Sequence, residues 1–204
     1  MRDVKAVVFD VGRVLVQWDL RCLFARLTDD PAEIEYVFDK VVTEAWHFRH
    51  DAGEPLAALV AERKALFPQY AHFIDAYATR FNETVPGPVA GTHAIVDELA
   101  EAGWPLFCIT NFADPFWDEF YPQWPVLRHF REIVVSGKER LVKPDPAIFD
   151  LAERRFGHEA GEMLFIDDNP ANIESAQELG WHVHYFADAD GLRTDLAQRG
   201  ILSA

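Results

Sequence analysis

The chain has 204 residues, 50% of them hydrophobic and 26% charged, which suits a globular protein with one sizeable core and excludes a disordered or fibrous chain. A formal net charge of −15 argues against nucleic acid as a partner, and a small anionic substrate would need a metal or a placed lysine. No stretch reads as a membrane span, signal peptide or transit peptide, and Cys22 and Cys108 sit in apolar patterns as buried thiols, so a cytoplasmic protein with no membrane partner is expected.

Residues 6–9 are an apolar run that ends in Asp10, Val11 and Gly12, the pattern of a buried parallel strand leaving the sheet in a sharp loop. Ligands of open parallel sheets bind beyond the carboxyl ends of the strands, so Asp10 stands where a nucleophile or a metal ligand would stand. From 17 to 86 the period is helical. Leu20, Leu23, Phe24 and Leu27 predict one amphipathic helix. Asp30-Pro31 opens a second, expected to bury Ile34, Val37, Phe38, Val41 and Val42. Leu56, Leu59 and Val60 predict a third, and Tyr70, Phe73, Ile74, Tyr77 and Phe81 a fourth. This run is read as a helical bundle over 17–86, inserted into a domain built from 1–16 and 87–204.

Beyond Gly91 helix and strand alternate, which predicts an α/β, doubly wound parallel sheet. Strands are expected over 106–109, 133–135, 163–166 and 182–186. Helices are expected before Gly103, after Asp145-Pro146 toward Gly157, and after Asn169-Pro170 to near Gly180. Thr110, Asn111, Lys143, Asp167 and Asp168 all fall at strand ends or in the loops that follow. Taken singly, Thr110-Asn111 reads as a helix cap and Lys143 as a solvated loop lysine. Asp167-Asp168 is harder to dismiss, because adjacent carboxylates after a buried strand repel unless a cation or donors compensate. Together the set supplies what phosphoryl transfer needs: a nucleophile, donors for phosphate oxygens, a lysine and oxygen ligands for Mg2+.

The residues from Phe9 to Leu15, Ile109-Thr110-Asn111, the stretch from Lys143 to Phe149, and Phe165-Ile166-Asp167-Asp168-Asn169 resemble, in order and spacing, the four motifs of the haloacid dehalogenase superfamily. The resemblance implies a Rossmann-like core with a helical cap that closes over its site. It implies Asp10 as the nucleophile that becomes an aspartyl-phosphate, Thr110 and the Asn111 backbone N–H as phosphate holders, and Lys143 as the neutralising cation. It further implies Mg2+ on Asp10, the Gly12 carbonyl and the acids Asp167 and Asp168, with Asp167 slightly preferred as the direct ligand. The partner implied is a small phosphorylated metabolite.

Gly12 stands where most phosphatases of that superfamily carry a second Asp as general acid and base. A glycine there resembles the branch that includes sugar-1-phosphate phosphatases. It also keeps two alternatives open, a 2-haloacid dehalogenase and a binding or regulatory protein of the same fold. Arg13 has two readings, a cation beside the phosphate and a surface arginine. Trp18, Trp46, His47, Arg49 and His50 are the candidates for substrate contact. Trp18 and His47 are carried as substrate-binding residues, although packing in a small bundle is the first reading of the two tryptophans. His47 or His50 could donate a proton near neutral pH. The aromatic stretch 112–125 reads as core and interface packing, with a homodimer patch as its second reading.

Overall fold

The computed structural model describes residues 4–203. Its centre is a five-stranded, wholly parallel sheet with strand order β3-β2-β1-β4-β5, formed by β1 (Ala6–Phe9), β2 (Leu106–Thr110), β3 (Glu132–Val135), β4 (Met163–Asp167) and β5 (His182–Tyr185). The strands expected from the sequence are all present, with ends that differ by a residue. β1 lies in the middle, with Val7 opposite Leu106 on one side and Leu164 on the other. The order runs outward from β1 to β3, returns, and runs outward again to β5. The turning point therefore lies between β1 and β4, where an open sheet leaves a crevice.

Side-chain alternation along β1 splits the core. Val7 and Phe9 join one buried cluster, with Ile95, Val96 and Leu99 of α6 (Thr92–Glu101) and Leu192 and Leu196 of α11 (Ala189–Gln198). Ala6 and Val8 face the other, made with Ile148, Phe149 and Ala152 of α9 (Pro146–Phe156) and Ala176 of α10 (Pro170–Glu178). Helices on both faces make the sheet doubly wound. The starts of α9 and α10 carry the expected caps: Asp145 accepts from the Ala147 N–H and Asn169 from the Ala171 N–H, each at 2.9 Å, with proline at the first helical position.

Between β1 and α6 the described residues form helices and no strand of the sheet: α1 (Arg21–Phe24), α2 (Pro31–Tyr36), α3 (Glu44–Asp51), α4 (Leu56–Leu66) and α5 (Ala71–Thr79). The first expected helix is shorter than its pattern. It closes at Phe24, and Leu27, only half-buried, bonds back to the Phe24 carbonyl in a tighter turn before Asp30-Pro31 forces extended backbone. The second is α-helical only to Tyr36 and then widens to a π-turn over Val37–Val41, where the Val42 N–H reaches the Val37 carbonyl at 2.8 Å. Val37, Val41 and Val42 are buried as expected, but Ile34 and Phe38 are not. Phe38 stays half-exposed beneath the Arg21 guanidinium, 3.5 Å from its ring centre. Cys108 is buried as expected, whereas Cys22 is half-buried.

The sequence pattern assigns no helix to α3, yet Trp46, His47, Arg49 and His50, four of the candidates for substrate contact, all lie on it. Thr43 caps it by accepting from the Trp46 N–H at 3.0 Å. Its buried residues are Trp46, His47, His50 and Asp51, three of them polar, so no apolar stripe announces the helix. Trp46 and Tyr77 belong to the same buried cluster as Val7 and Phe9, so the apolar interior is continuous from one sheet face into the helical insert.

Candidate functional site

The carboxyl ends of β1 and β4 bring Asp10 and Asp167 together, because Phe9 pairs with Ile166 and the Asp10 N–H bonds the Ile166 carbonyl at 2.9 Å. One oxygen each from Asp10, Asp167 and Asp168 lies within 4.8 Å of the others. Lys143, 1% exposed, reaches in from the loop before α9, with its Nζ 2.8 Å from Asp10 Oδ1 and 2.7 Å from Asp167 Oδ2. It is a buried ion-pairing lysine and not the solvated loop residue that its sequence position allowed. The Asn111 side chain holds that loop in place, donating to the Lys143 carbonyl and accepting from the Lys143 N–H, both at 2.9 Å. Thr110 ends β2 with 1% exposure and is not among the residues that line the cavity described below. Neither residue caps a helix; that position falls to Ala113, ahead of α7 (Asp114–Phe120).

Asp167 and Asp168 occupy different settings. Asp167 is fully buried, and its oxygens also accept from the Asn169 N–H at 2.8 Å and from Asn172 Nδ2 at 3.0 Å. Asp168 is half-buried and lines the cavity. The acid that faces the open space is therefore Asp168, while Asp167 braces Lys143 and Asn172. Asn172 gave no signal in the sequence beyond its place in the first turn of α10, from which it points back at the strand end.

The electrostatics follow from burial. Burial pushes the Asp10 carboxyl up to about 7; Lys143 opposes this, while Asp167 and Asp168 reinforce it. Burial likewise raises the Asp168 carboxyl, with Asp167 adding to it and Arg13 and Lys143 opposing. On Lys143 burial acts downward, but Asp10 and Asp167 outweigh it and the ammonium is held above its ordinary value. Three converging carboxylates against one ammonium leave an excess of negative charge. The donors are all hard oxygens, the set that fits a small divalent cation.

Above this floor lies a cavity of about 420 Å³. Gly12, Arg13, Trp18, His47 and Asn111 line it as well as Asp10, Lys143 and Asp168. Arg13 takes the left-handed backbone conformation, φ 59°, pairs with Glu44 at the start of α3, and lies over the Trp18 ring at 4.7 Å. It is half-exposed at the cavity wall, so it is neither remote from the site nor free of a partner. His47 is 6% exposed, with Nδ1 2.7 Å from the Tyr77 hydroxyl, Nε2 3.2 Å from Asp51 Oδ2, and its ring stacked on Phe81. His50 does not line the cavity; its Nδ1 lies 2.9 Å from the Glu54 carbonyl oxygen and its ring packs against Phe116. Asp51, which sequence reasoning missed, does line it.

A family model for haloacid dehalogenase-like hydrolases matches residues 47–186. The chain is 29% identical over 198 residues to acyl-CoA dehydrogenase family member 10 of Mus musculus, covering 89% of this chain and 18% of the mouse protein. It is 32% identical over 129 residues to a phosphoglycolate phosphatase of Pectobacterium atrosepticum, covering 62% of this chain and 51% of that enzyme. The chain thus spans about half the length, or less, of these curated relatives. In fold it is similar to a HAD family enzyme of Bacteroides thetaiotaomicron solved with magnesium and inorganic phosphate, with a TM-score of 0.68, 22% identity, and coverage of 91% of this chain and 95% of that one. With the matched segment spanning well over half of its length, the chain belongs to the haloacid dehalogenase-like hydrolase family.

Proposed function

We propose that the chain is a Mg2+-dependent phosphatase of small phosphate monoesters, working through an aspartyl-phosphate on Asp10. The convergence of Asp10, Asp167 and Asp168 at the floor of a cavity, with Lys143 paired to the first two, carries this reading. Mg2+ would be held by Asp10, Asp168, the Gly12 carbonyl and, behind them, Asp167. When bound it would neutralise phosphoryl oxygens and keep the carboxylates ionised at neutral pH.

An Asp10 oxygen attacks phosphorus, and the new O–P bond forms as the bond to the ester oxygen breaks; the departing alkoxide takes up a proton. Water then attacks the acyl phosphate and returns free Asp10 and inorganic phosphate. The Thr110 hydroxyl and the Asn111 N–H hold a phosphate oxygen, and the Lys143 ammonium offsets charge on the nucleophile and the phosphoryl group. Arg13, Trp18 and His47 form the wall against the leaving group. Residues 17–86 act as the cap and 1–16 with 87–204 as the core. Two carboxylates beside the nucleophile favour phosphoryl transfer over halide displacement, because with Asp10 they make an oxygen set for a divalent cation that would offset the phosphate charge, which halide displacement does not need.

The test is release of phosphate from a panel of phosphosugars, nucleotides and phosphorylated acids, beside halide release from 2-chloropropionate, with Mg2+ and with chelator. Mg2+-dependent phosphate release that Asp10→Asn abolishes is the expected result. Metal-independent halide release, or no turnover of any compound, would overturn it.

A further inference from the structure

Glu44, His47 and Asp51 are spaced so that one face of α3 turns all three toward the cavity. Glu44 is occupied by Arg13. The Asp51 carboxylate can only accept, so the proton between it and His47 lies on Nε2, 3.2 Å from Oδ2. His47 Nδ1 lies 2.7 Å from the Tyr77 hydroxyl, which burial keeps protonated. Asp51 itself is 4% exposed, and its Oδ1 has no hydrogen-bond partner. A buried carboxylate oxygen without a donor is costly, and the terminal torsion of an Asp is broad enough to present it to the cavity.

Charge narrows what could meet it. The cavity is lined by the carboxylates of Asp10, Glu44, Asp51 and Asp168, against the cations of Arg13 and Lys143. Both cations are already paired, Arg13 with Glu44 and Lys143 with Asp10 and Asp167. A leaving group with a second anion would find two carboxylates on α3 and no unpaired lysine or arginine among the described lining residues. A leaving group with a hydroxyl or ammonium would find an acceptor.

We propose that Asp51 is a specificity-determining residue, whose Oδ1 accepts a hydrogen bond from a hydroxyl or ammonium on the leaving group. The protein then selects phosphate monoesters of alcohols that bear a second donor and turns away those that bear a second anion. This deepens the phosphatase reading and rests on it. A site built to bond a donor discriminates against the analogue that lacks it, because the buried acceptor is then left unmet. For a hydrogen bond to a charged group, the expected discrimination is about 10- to 100-fold in kcat/KM.

The experiment compares hydroxyalkyl, aminoalkyl, plain alkyl and carboxyalkyl phosphates, each with chains of two to four carbons, in the presence of Mg2+. The readout is the ratio of kcat/KM between compounds within one protein, so the folded fraction cancels. In the wild type, the hydroxyalkyl or aminoalkyl ester should exceed the alkyl ester of equal length by about tenfold or more. The carboxyalkyl ester should fall below the alkyl one. Asp51→Leu, or Asp51→Ala if the first folds poorly, removes the acceptor and should bring the donor ratio to near one and relieve the bias against the carboxylate. Phosphate release with a flat wild-type ratio, meaning that water meets Oδ1, would overturn this proposal alone. So would a donor preference that survives both substitutions. No phosphate from any ester would overturn the phosphatase reading and this one with it.

Discussion

Replacing Asp10 with Asn should make the metal-free protein more stable, by an amount that grows with pH. Burial and the two neighbouring acids lift the Asp10 carboxyl from 3.8 to about 7, even with Lys143 attached. At 1.36 kcal/mol per pKa unit, its ionised form costs the fold roughly 4 kcal/mol above that window. The folded state keeps the proton up to about pH 7, whereas the unfolded chain releases it near 3.8. Across that interval the folded state binds more protons, so the wild type loses stability as pH rises. The amide never ionises and escapes this loss, but it is still a buried polar group that weakens the Lys143 contact. The net gain should therefore be about 1–3 kcal/mol at pH 8.5, and about 1–2 kcal/mol smaller at pH 5.5. Urea denaturation followed by circular dichroism, in chelator at both pH values, measures the difference. Mg2+ at a thousand times its Kd should reverse the order, since a ligand of the folded state then stabilises by about 4.1 kcal/mol, and the wild type binds it better. A variant no more stable than the wild type in chelator at pH 8.5, with the same gap at both pH values, would refute the reasoning.

Converting both Asp167 and Asp168 to Asn should abolish Mg2+ binding in a calorimetric titration, and activity with it, because neutral amides do not offset the dehydration of the cation. Asn172→Ala should lower Mg2+ affinity about 10- to 100-fold by freeing the Asp167 carboxylate to turn; the same titration measures it. Gly137→Ala should cost about 1–3 kcal/mol in thermal or urea unfolding, since a Cβ there would lie 2.4 Å from the Asp114 nitrogen and 2.8 Å from the Phe112 oxygen. That close approach also holds the loop after Asn111.

Those parts of the site that lie on the sheet were open to reading from the sequence. A parallel strand buried on both faces is an unbroken apolar run, so a carboxylate at its end stands out, as Asp10 and Asp167 do. α3 was hidden for the opposite reason. His47, His50 and Asp51 are buried through polar contacts, and a polar buried face looks like a loop in any hydrophobic pattern. Asp51 was lost with it. The widening at Val37–Val41 shifts the register of a helix by one residue, which a fixed period of 3.6 does not follow. The half-exposure of Phe38, inside that turn, went unseen for that reason. The choice between Asp167 and Asp168 depended on Asn169 and Asn172, and a pattern of neighbouring charges contains no information about such donors.

The central place of β1 also governs when the site can exist during synthesis. Of the five strands β1 is the first to leave the ribosome, yet its two neighbours, β2 and β4, begin only at Leu106 and Met163. Its apolar residues have no lasting cover until Leu106 arrives on one side and Leu164 on the other. The intervening helical insert has short-range contacts of its own and can form in the meantime, whereas pairing so distant in sequence is slow. Asp10 therefore stays in water, with an ordinary acidity, until residue 167 has been made. The full set of Asp10, Lys143 and Asp167 cannot come together before the chain has been made through β4.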